Sequence, residues 1–102
     1  MNGEADAVLS RSDYVMRLVK QLAEVIARLL KLRAEGDEEK VNQVLGDACV
    51  ALFGVEHRVL HMLDANSAAS LLGDKAKVDA YAKLLDAAGD TARAEALRRA
   101  SR

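Results

Sequence analysis

Residues 13–36 read DYVMRLVKQLAEVIARLLKLRAEG, and the polar residues of this stretch recur at spacings of three and four. At about 100° per residue, these positions share one stripe that covers roughly a third of a helix circumference. Almost every other residue from Tyr14 to Leu32 is Val, Leu, Ile, Met or Ala. Such a helix must be covered on two sides, either as the central helix of its own bundle or by a partner. The polar stripe consists of Arg17, Lys20, Gln21, Glu24, Arg28, Lys31 and Glu35.

The composition of the whole chain favours helices. Its 102 residues include no proline, no Trp, one Phe and two Tyr, and 51% of them are hydrophobic. The β-branched and aromatic residues typical of sheets are scarce outside a few Val, whereas Ala, the best helix former, is abundant. We therefore predict an all-α fold of five to six helices, arranged as two antiparallel helical hairpins with a short helical middle. Residues 10–102 are expected to form a single domain and residues 1–9 a flexible leader.

Charge and cysteine content restrict the classes of protein to which the chain can belong. A formal net charge of −1 provides no strong field for nucleic acid or an anionic membrane, and neither is an expected partner. The first ten residues are acidic and lack the basic and apolar segments of a secretory signal, and no apolar run approaches the length of a membrane span. The single cysteine, Cys49, cannot form an internal disulfide. These features predict a cytoplasmic location.

Two short segments have matching turn residues. Residues 32–37 (LRAEGD) align without gaps on residues 85–90 (LDAAGD). In each segment Gly permits the positive φ that ends one helix, and Asp accepts backbone N–H groups that begin the next. We expect a helical hairpin at each, and we consider internal duplication the less favoured explanation. The other predicted features are an N-cap at Ser10 or Ser12, a helix over 55–64, an N-cap at Asn66 or Ser67, helix ends at Gly54 and Gly73, and close helix approach at Gly46.

The C-terminal segment resembles a known repeat. Residues 84–100, LLDAAGDTARAEALRRA, are similar to the helix-turn-helix of tetratricopeptide repeats. Ala82 and Ala94 stand at the small positions where the paired helices approach, and Gly89 lies in the turn. The first hairpin departs from this pattern, because Leu29 stands where a small residue is expected and Val41 replaces Ala.

A second resemblance extends over most of the chain. Residues 13–30, followed by LRAEGD at 32–37, are similar to a group of small uncharacterised bacterial proteins. Those proteins open with an Asp-Tyr-Ile-Met-Arg-like helix and end in a tetratricopeptide-like hairpin. This resemblance covers residues 13–100 and implies a tetratricopeptide-like bundle of bacterial origin. It implies no activity.

One segment contains residue types that bind metals. His57 and His61 lie four residues apart and Asp64 follows three later, so a helix places all three on one face, where two imidazoles can hold zinc. A complete site needs three or four ligands with supporting hydrogen bonds, and the chain contains no other His. We favour the interpretation that these histidines lie at the surface and bind no metal. The residues then expected to pack are Val59, Leu60, Met62 and Leu63.

Two further groups of residues permit other functions. A nucleophilic Cys49 needs a neighbouring base or cation, and we interpret this residue as a buried, inert thiol among small apolar residues. The C-terminal arginines lack the interleaved aromatic residues that nucleic-acid sites use. We interpret them as cations that offset the helix dipole in a last helical turn. The alternatives that stay open are a small metal-dependent or thiol-dependent enzyme or sensor and, more weakly, a nucleic-acid-binding regulator. The arginines concerned are Arg93, Arg98, Arg99 and Arg102.

The predicted function is therefore a non-enzymatic helical interaction or scaffold domain without a cofactor. Its first helix is expected to supply a second apolar face that forms a homodimer or receives an amphipathic helix of a protein partner. We favour the homodimer because a free apolar face promotes aggregation. The residues expected in this interface are Val15, Leu18, Val19, Leu22, Ile26, Leu29 and Leu30.

Overall fold

The chain folds into helices throughout the range that the structure describes. The computed structural model describes the backbone of residues 3–101 and the side chains of residues 13–101, and this range contains no strand. The predicted all-α class is confirmed. None of the helices in this range is both long and apolar enough to cross a membrane. In chain order they are α1 (Gly3–Ala34), α2 (Glu38–Phe53), α3 (His57–Met62), α4 (Ala65–Leu72), α5 (Lys75–Ala88) and α6 (Thr91–Ala100).

Helix α1 begins earlier than predicted. It starts at Gly3, so the expected N-caps Ser10 and Ser12 lie inside the helix, and the backbone of residues 3–9 is helical. The prediction failed because no Gly or Pro interrupts the chain between Gly3 and Gly36, and the Ala, Glu and Leu residues near the start favour helix. The first two residues of the expected leader, Met1 and Asn2, lie outside the described residues.

The two matching turns have the same hydrogen bonds. Gly36 and Gly89 both have positive φ, at 75° and 101°. In each turn the glycine amide donates to the carbonyl three residues before it, and the next amide donates to the carbonyl five residues before it. The carboxylates of Asp37 and Asp90 then accept the amide three residues later and begin α2 and α6. The predicted hairpin turns are confirmed, because Gly and Asp supply all the local chemistry that such a turn requires.

The centre of the bundle is α5. This helix packs against α1, α2, α4 and α6, and half of its fourteen residues are buried. Alanines at Ala80, Ala82 and Ala87 let the neighbouring helices approach, and Tyr81 fills the space between them. Helix α1 packs mainly against α2 and α5. The possibility that α1 is the central helix is therefore wrong.

The middle of the chain differs from its predicted boundaries. Helix α3 is shorter than expected, because Asp64 begins α4 instead of ending α3. The carboxylate of Asp64 accepts the amide of Ser67 at 2.7 Å, so Asp64 and neither Asn66 nor Ser67 is the N-cap. The extended backbone at Leu63 and Asp64 allows this cap, for which Asp is a preferred residue.

Candidate functional site

Helix α1 has two apolar faces, and the first lies in the protein's own core. Leu18, Leu22, Leu29 and Leu32 are buried against α2 and α5. Three residues of the predicted interface, Leu18, Leu22 and Leu29, therefore belong to the core and are not free for a partner. The prediction placed them in the interface because both faces consist of apolar residues at helical spacing, and this pattern does not show which face lies inward.

The second apolar face of α1 is largely open to solvent, although its Ile26 is half-buried against the core. Met16 is 70% exposed, Val19 60% and Leu30 51%. Val15, Val19, Ile26 and Leu30 were predicted for the interface, whereas Met16, Ala23 and Ala27 join it only in the structure. The seven positions form one continuous stripe of about 120° around the helix. We call this stripe the outer face of α1, and it comprises Val15, Met16, Val19, Ala23, Ile26, Ala27 and Leu30.

The chemistry of the outer face restricts what it can bind. None of its seven side chains is ionisable, and their only polar atom is the weakly accepting thioether sulfur of Met16. Single exposed apolar residues are normal on a protein surface, but a continuous apolar stripe marks a contact site. The outer face can therefore contribute apolar packing to an interface and has no side chain for acid–base or nucleophilic chemistry.

The candidate metal ligands His57, His61 and Asp64 do not converge. His57 Nδ1 lies 2.8 Å from the hydroxyl of the buried Tyr81, and His61 Nε2 lies 3.8 Å from a carboxylate oxygen of Asp90. Burial lowers the pKa of His57, the neighbouring His61 lowers it further, and Asp90 opposes the change. Asp64 caps α4 instead of joining the histidines. Within the described range, no three His, Cys, Asp or Glu residues are placed to hold a metal ion together.

The orientation of α3 differs from the prediction. We expected Val59 and Met62 to pack and the histidines to lie at the surface. Leu60 is buried, Leu63 packs against the core and His61 is exposed, as predicted. Val59 and Met62 are exposed instead of packed, and His57 is half-buried. The hydroxyl of Tyr81 needs a hydrogen-bond partner in the core, and His57 supplies it.

The thiol of Cys49 is enclosed in the core. The residue is fully buried, and burial raises the pKa of the thiol to about 12. Because the thiolate is the nucleophilic form, this environment disfavours reactivity. The prediction that Cys49 is buried is confirmed.

Two of the C-terminal arginines serve internal contacts. Arg93 donates to the carbonyl of Leu60 at 2.9 Å and to that of Leu63, and so ties α6 to the end of α3. Arg98 forms an ion pair with Asp86 of α5. Arg99 is exposed, and Arg102 lies outside the described residues. These contacts leave little of the predicted basic tail for phosphate binding.

The comparisons with known proteins assign no family to the chain. No family model, curated protein or solved structure matches it. The resemblances to tetratricopeptide hairpins and to a group of small bacterial proteins therefore stay predictions, based on residues 82–100 and 13–37. The functional argument rests on the geometry described above.

Proposed function

We propose that this protein is a non-enzymatic helical interaction domain that pairs with a second copy of itself through the outer face of α1. One observation carries the proposal: α1 presents a largely exposed apolar stripe to solvent, although another face of the same helix is already buried in the core. Removing apolar surface from water favours association by roughly 25 cal/mol per Å². A stable partner on this face would also protect the protein from aggregation.

A second copy is the occupant that matches this surface best. The outer face is a stripe on a long helix, and an identical helix has the same length and the same uncharged surface. A closed twofold pair covers both outer faces at once and leaves none exposed. The alternative occupant is an amphipathic helix of another protein, which would leave the purified protein monomeric.

The residues of the competing function are engaged in the fold, and this supports a non-enzymatic function. His57 is bonded to Tyr81, Asp64 caps α4, and Cys49 is buried with its pKa raised. A metal-dependent or thiol-dependent enzyme or sensor would need these groups to be free and convergent. We place the protein in the cytoplasm because its one cysteine is a buried free thiol.

A pair of matched substitutions tests the proposal. Val19→Glu puts a charge in the outer face, whereas Val50→Glu makes the same change at a valine of α2 that is 52% exposed. We expect the parent and Val50→Glu to have twice the 11.0 kDa chain mass in light scattering after gel filtration. Val19→Glu is expected to be a folded monomer with unchanged helical circular dichroism, because dimerisation would bury its carboxylate unpaired.

Two results would contradict the proposal. A monomeric parent at tens of micromolar would exclude self-association and favour the alternative occupant. A dimeric Val19→Glu variant would show that the interface lies elsewhere, and the exposed Met62 and Leu71 would then mark the next surface to test.

A further inference from the structure

Helix α3 lacks the local hydrogen bonds that begin and end its neighbours. Each of α2, α4, α5 and α6 begins at an Asp whose side chain accepts a backbone amide, whereas Glu56 at the start of α3 makes no such bond. At the other end, Leu63 has extended backbone instead of the left-handed glycine that ends α2, α4 and α5. A helix of six residues without caps is unstable by itself. Tertiary contacts therefore keep α3 folded.

The contacts that hold α3 in the bundle are few, and several are polar. Leu60 is the one buried residue among residues 57–62. His57 lies 2.8 Å from the hydroxyl of Tyr81 in α5, and Arg93 of α6 donates to two carbonyls at the C-terminal end of α3. Non-helical residues flank α3 on both sides. Helix α3 can therefore leave the bundle as a unit while α2 and α4 stay helical.

Titratable and charged groups from α3, α5 and α6 surround His57. The ring of His61, one turn further along α3, lies 5.5 Å from the His57 ring between centroids. Tyr81 of α5 faces His57 directly, and Asp90 and Arg93 contribute charges from the start of α6. Protonation of both imidazoles places three cations around the single carboxylate of Asp90. Acid therefore removes part of the attraction that keeps α3 in place.

The remaining ionisable groups of the surrounding elements are engaged elsewhere or neutral. Arg58 and Glu56 lie 3.7 Å apart in largely exposed positions, and Asp64 caps α4. Helix α4 contains no ionisable residue, and the last six residues of α2 contain only the thiol of Cys49. Burial, and then His61, lower the pKa of His57, so its protonated form is favoured once α3 has left the bundle.

We infer that α3 is an acid-sensitive flap, which mild acid releases from α5 and α6 through protonation of His57 while the other helices stay folded. Release separates His57 from the hydroxyl of Tyr81. The thiol of Cys49 lies beside this hydroxyl, because burial and then Cys49 raise the pKa of Tyr81. Opening of the flap therefore uncovers Cys49, which is fully buried when the flap is closed. The inference does not depend on pairing through α1.

The reactivity of the natural Cys49 measures the opening. A dipyridyl disulfide, which stays reactive in mild acid, is added at about pH 7.5 and about pH 5.5, with urea below the unfolding transition. Each rate is divided by that of the urea-unfolded chain at the same pH, and the ratio gives the open fraction. The dependence of this fraction on urea reports how much surface opens. The matched control, Leu45→Cys with Cys49→Ala, moves the thiol to a buried position one turn farther from the end of α2 that leads to α3.

We expect Cys49 of the parent to react at least about tenfold faster than global unfolding allows, with a shallower urea dependence. The control thiol should react only as fast as global unfolding of its own variant allows. From about pH 7.5 to about pH 5.5 the open fraction should rise several-fold in the parent and in His61→Gln, and less than about twofold in His57→Gln.

Three results would overturn the inference. Reaction of Cys49 only through global unfolding at both pH values would show that α3 does not open separately. A control thiol that also reacts far faster than its own global unfolding would show that the opening is not confined to α3. An equal acid response in the parent and in His57→Gln would show that His57 does not release the flap.

Discussion

At the scale of single residues, the backbone requires a glycine at Gly89, which has positive φ, but not at Gly46, which lies inside α2. A Cβ on Gly89 would lie 3.3 Å from the guanidinium carbon of Arg33. The Arg33 guanidinium also donates to the carbonyl of Ala87, two residues before Gly89. Gly46 lies inside α2, and no heavy atom lies within 4 Å of the position that its Cβ would occupy. The predicted close helix approach at Gly46 is therefore wrong. Only the glycines with positive φ are required by the backbone.

Replacing these glycines by alanine is expected to change stability in opposite directions. Gly89→Ala and Gly36→Ala force a left-handed conformation on a residue with a Cβ and are expected to lower the free energy of unfolding by about 1 kcal/mol or more. Gly46→Ala favours helix and is expected to raise it by up to about 1 kcal/mol. Urea denaturation of the three variants beside the parent measures these changes. Destabilisation by Gly46→Ala would show that α2 needs a glycine there after all.

Among the elements, α3 depends most on long-range contacts. Its six residues are too few to form a stable helix alone. His57 joins it to Tyr81 of α5, and Arg93 of α6 donates to carbonyls at its C-terminal end. The last carbonyls of a helix have no amide donor within the helix. The Arg93 guanidinium supplies this donor for the carbonyls of Leu60 and Leu63.

The attachment of α3 is expected to weaken in acid. Because the folded pKa of His57 lies below the unfolded value of about 6.5, its neutral form contributes stability above that pH, and this contribution is lost as the pH falls through the folded pKa. The free energy of unfolding should fall more in the parent than in His57→Gln between about pH 7.5 and pH 5. Urea denaturation at both pH values measures the difference.

The control for the acid experiment is His61→Gln. It removes the more exposed imidazole and leaves His57 half-buried as before. Most of the acid-linked loss should remain, because burial is the largest cause of the lowered pKa of His57. Equal losses in the parent and in His57→Gln would contradict the assignment of this pH dependence to His57.

At the scale of the whole molecule, stability and assembly are expected to be linked. The core is centred on α5, and α1 lies at its edge with one face buried and one exposed. If two copies cover this exposed face, each folded pair is stabilised by mass action. The melting temperature should then depend on protein concentration.

A hundredfold increase in protein concentration, from about 5 to about 500 µM, is expected to raise the melting temperature of the parent by several degrees, since mass action contributes about 2.7 kcal/mol per pair. Val50→Glu should show the same rise and Val19→Glu none. Scanning calorimetry over this range makes the comparison. A parent whose melting temperature is independent of concentration would contradict the linkage.

The local features of this protein were determined by its sequence. Gly36, Asp37, Gly89 and Asp90 act within five residues of themselves, so their turns and the bounds of α2 follow from residue type alone. The two apolar faces of α1 are equally local, because they follow from the spacing of Val, Leu, Ile and Met along one helix.

Only the tertiary structure decided which face of α1 lies inward and which residue faces Tyr81. Both faces of α1 consist of apolar residues at helical spacing, so this pattern does not show whether Leu22 or Val19 lies inward. The choice depends on the packing of α1 against α2 and α5. The position of His57 likewise depends on a hydroxyl 24 residues further along the chain. These choices are made by packing between residues distant in sequence, and the spacing of residues along one helix contains no information about such partners.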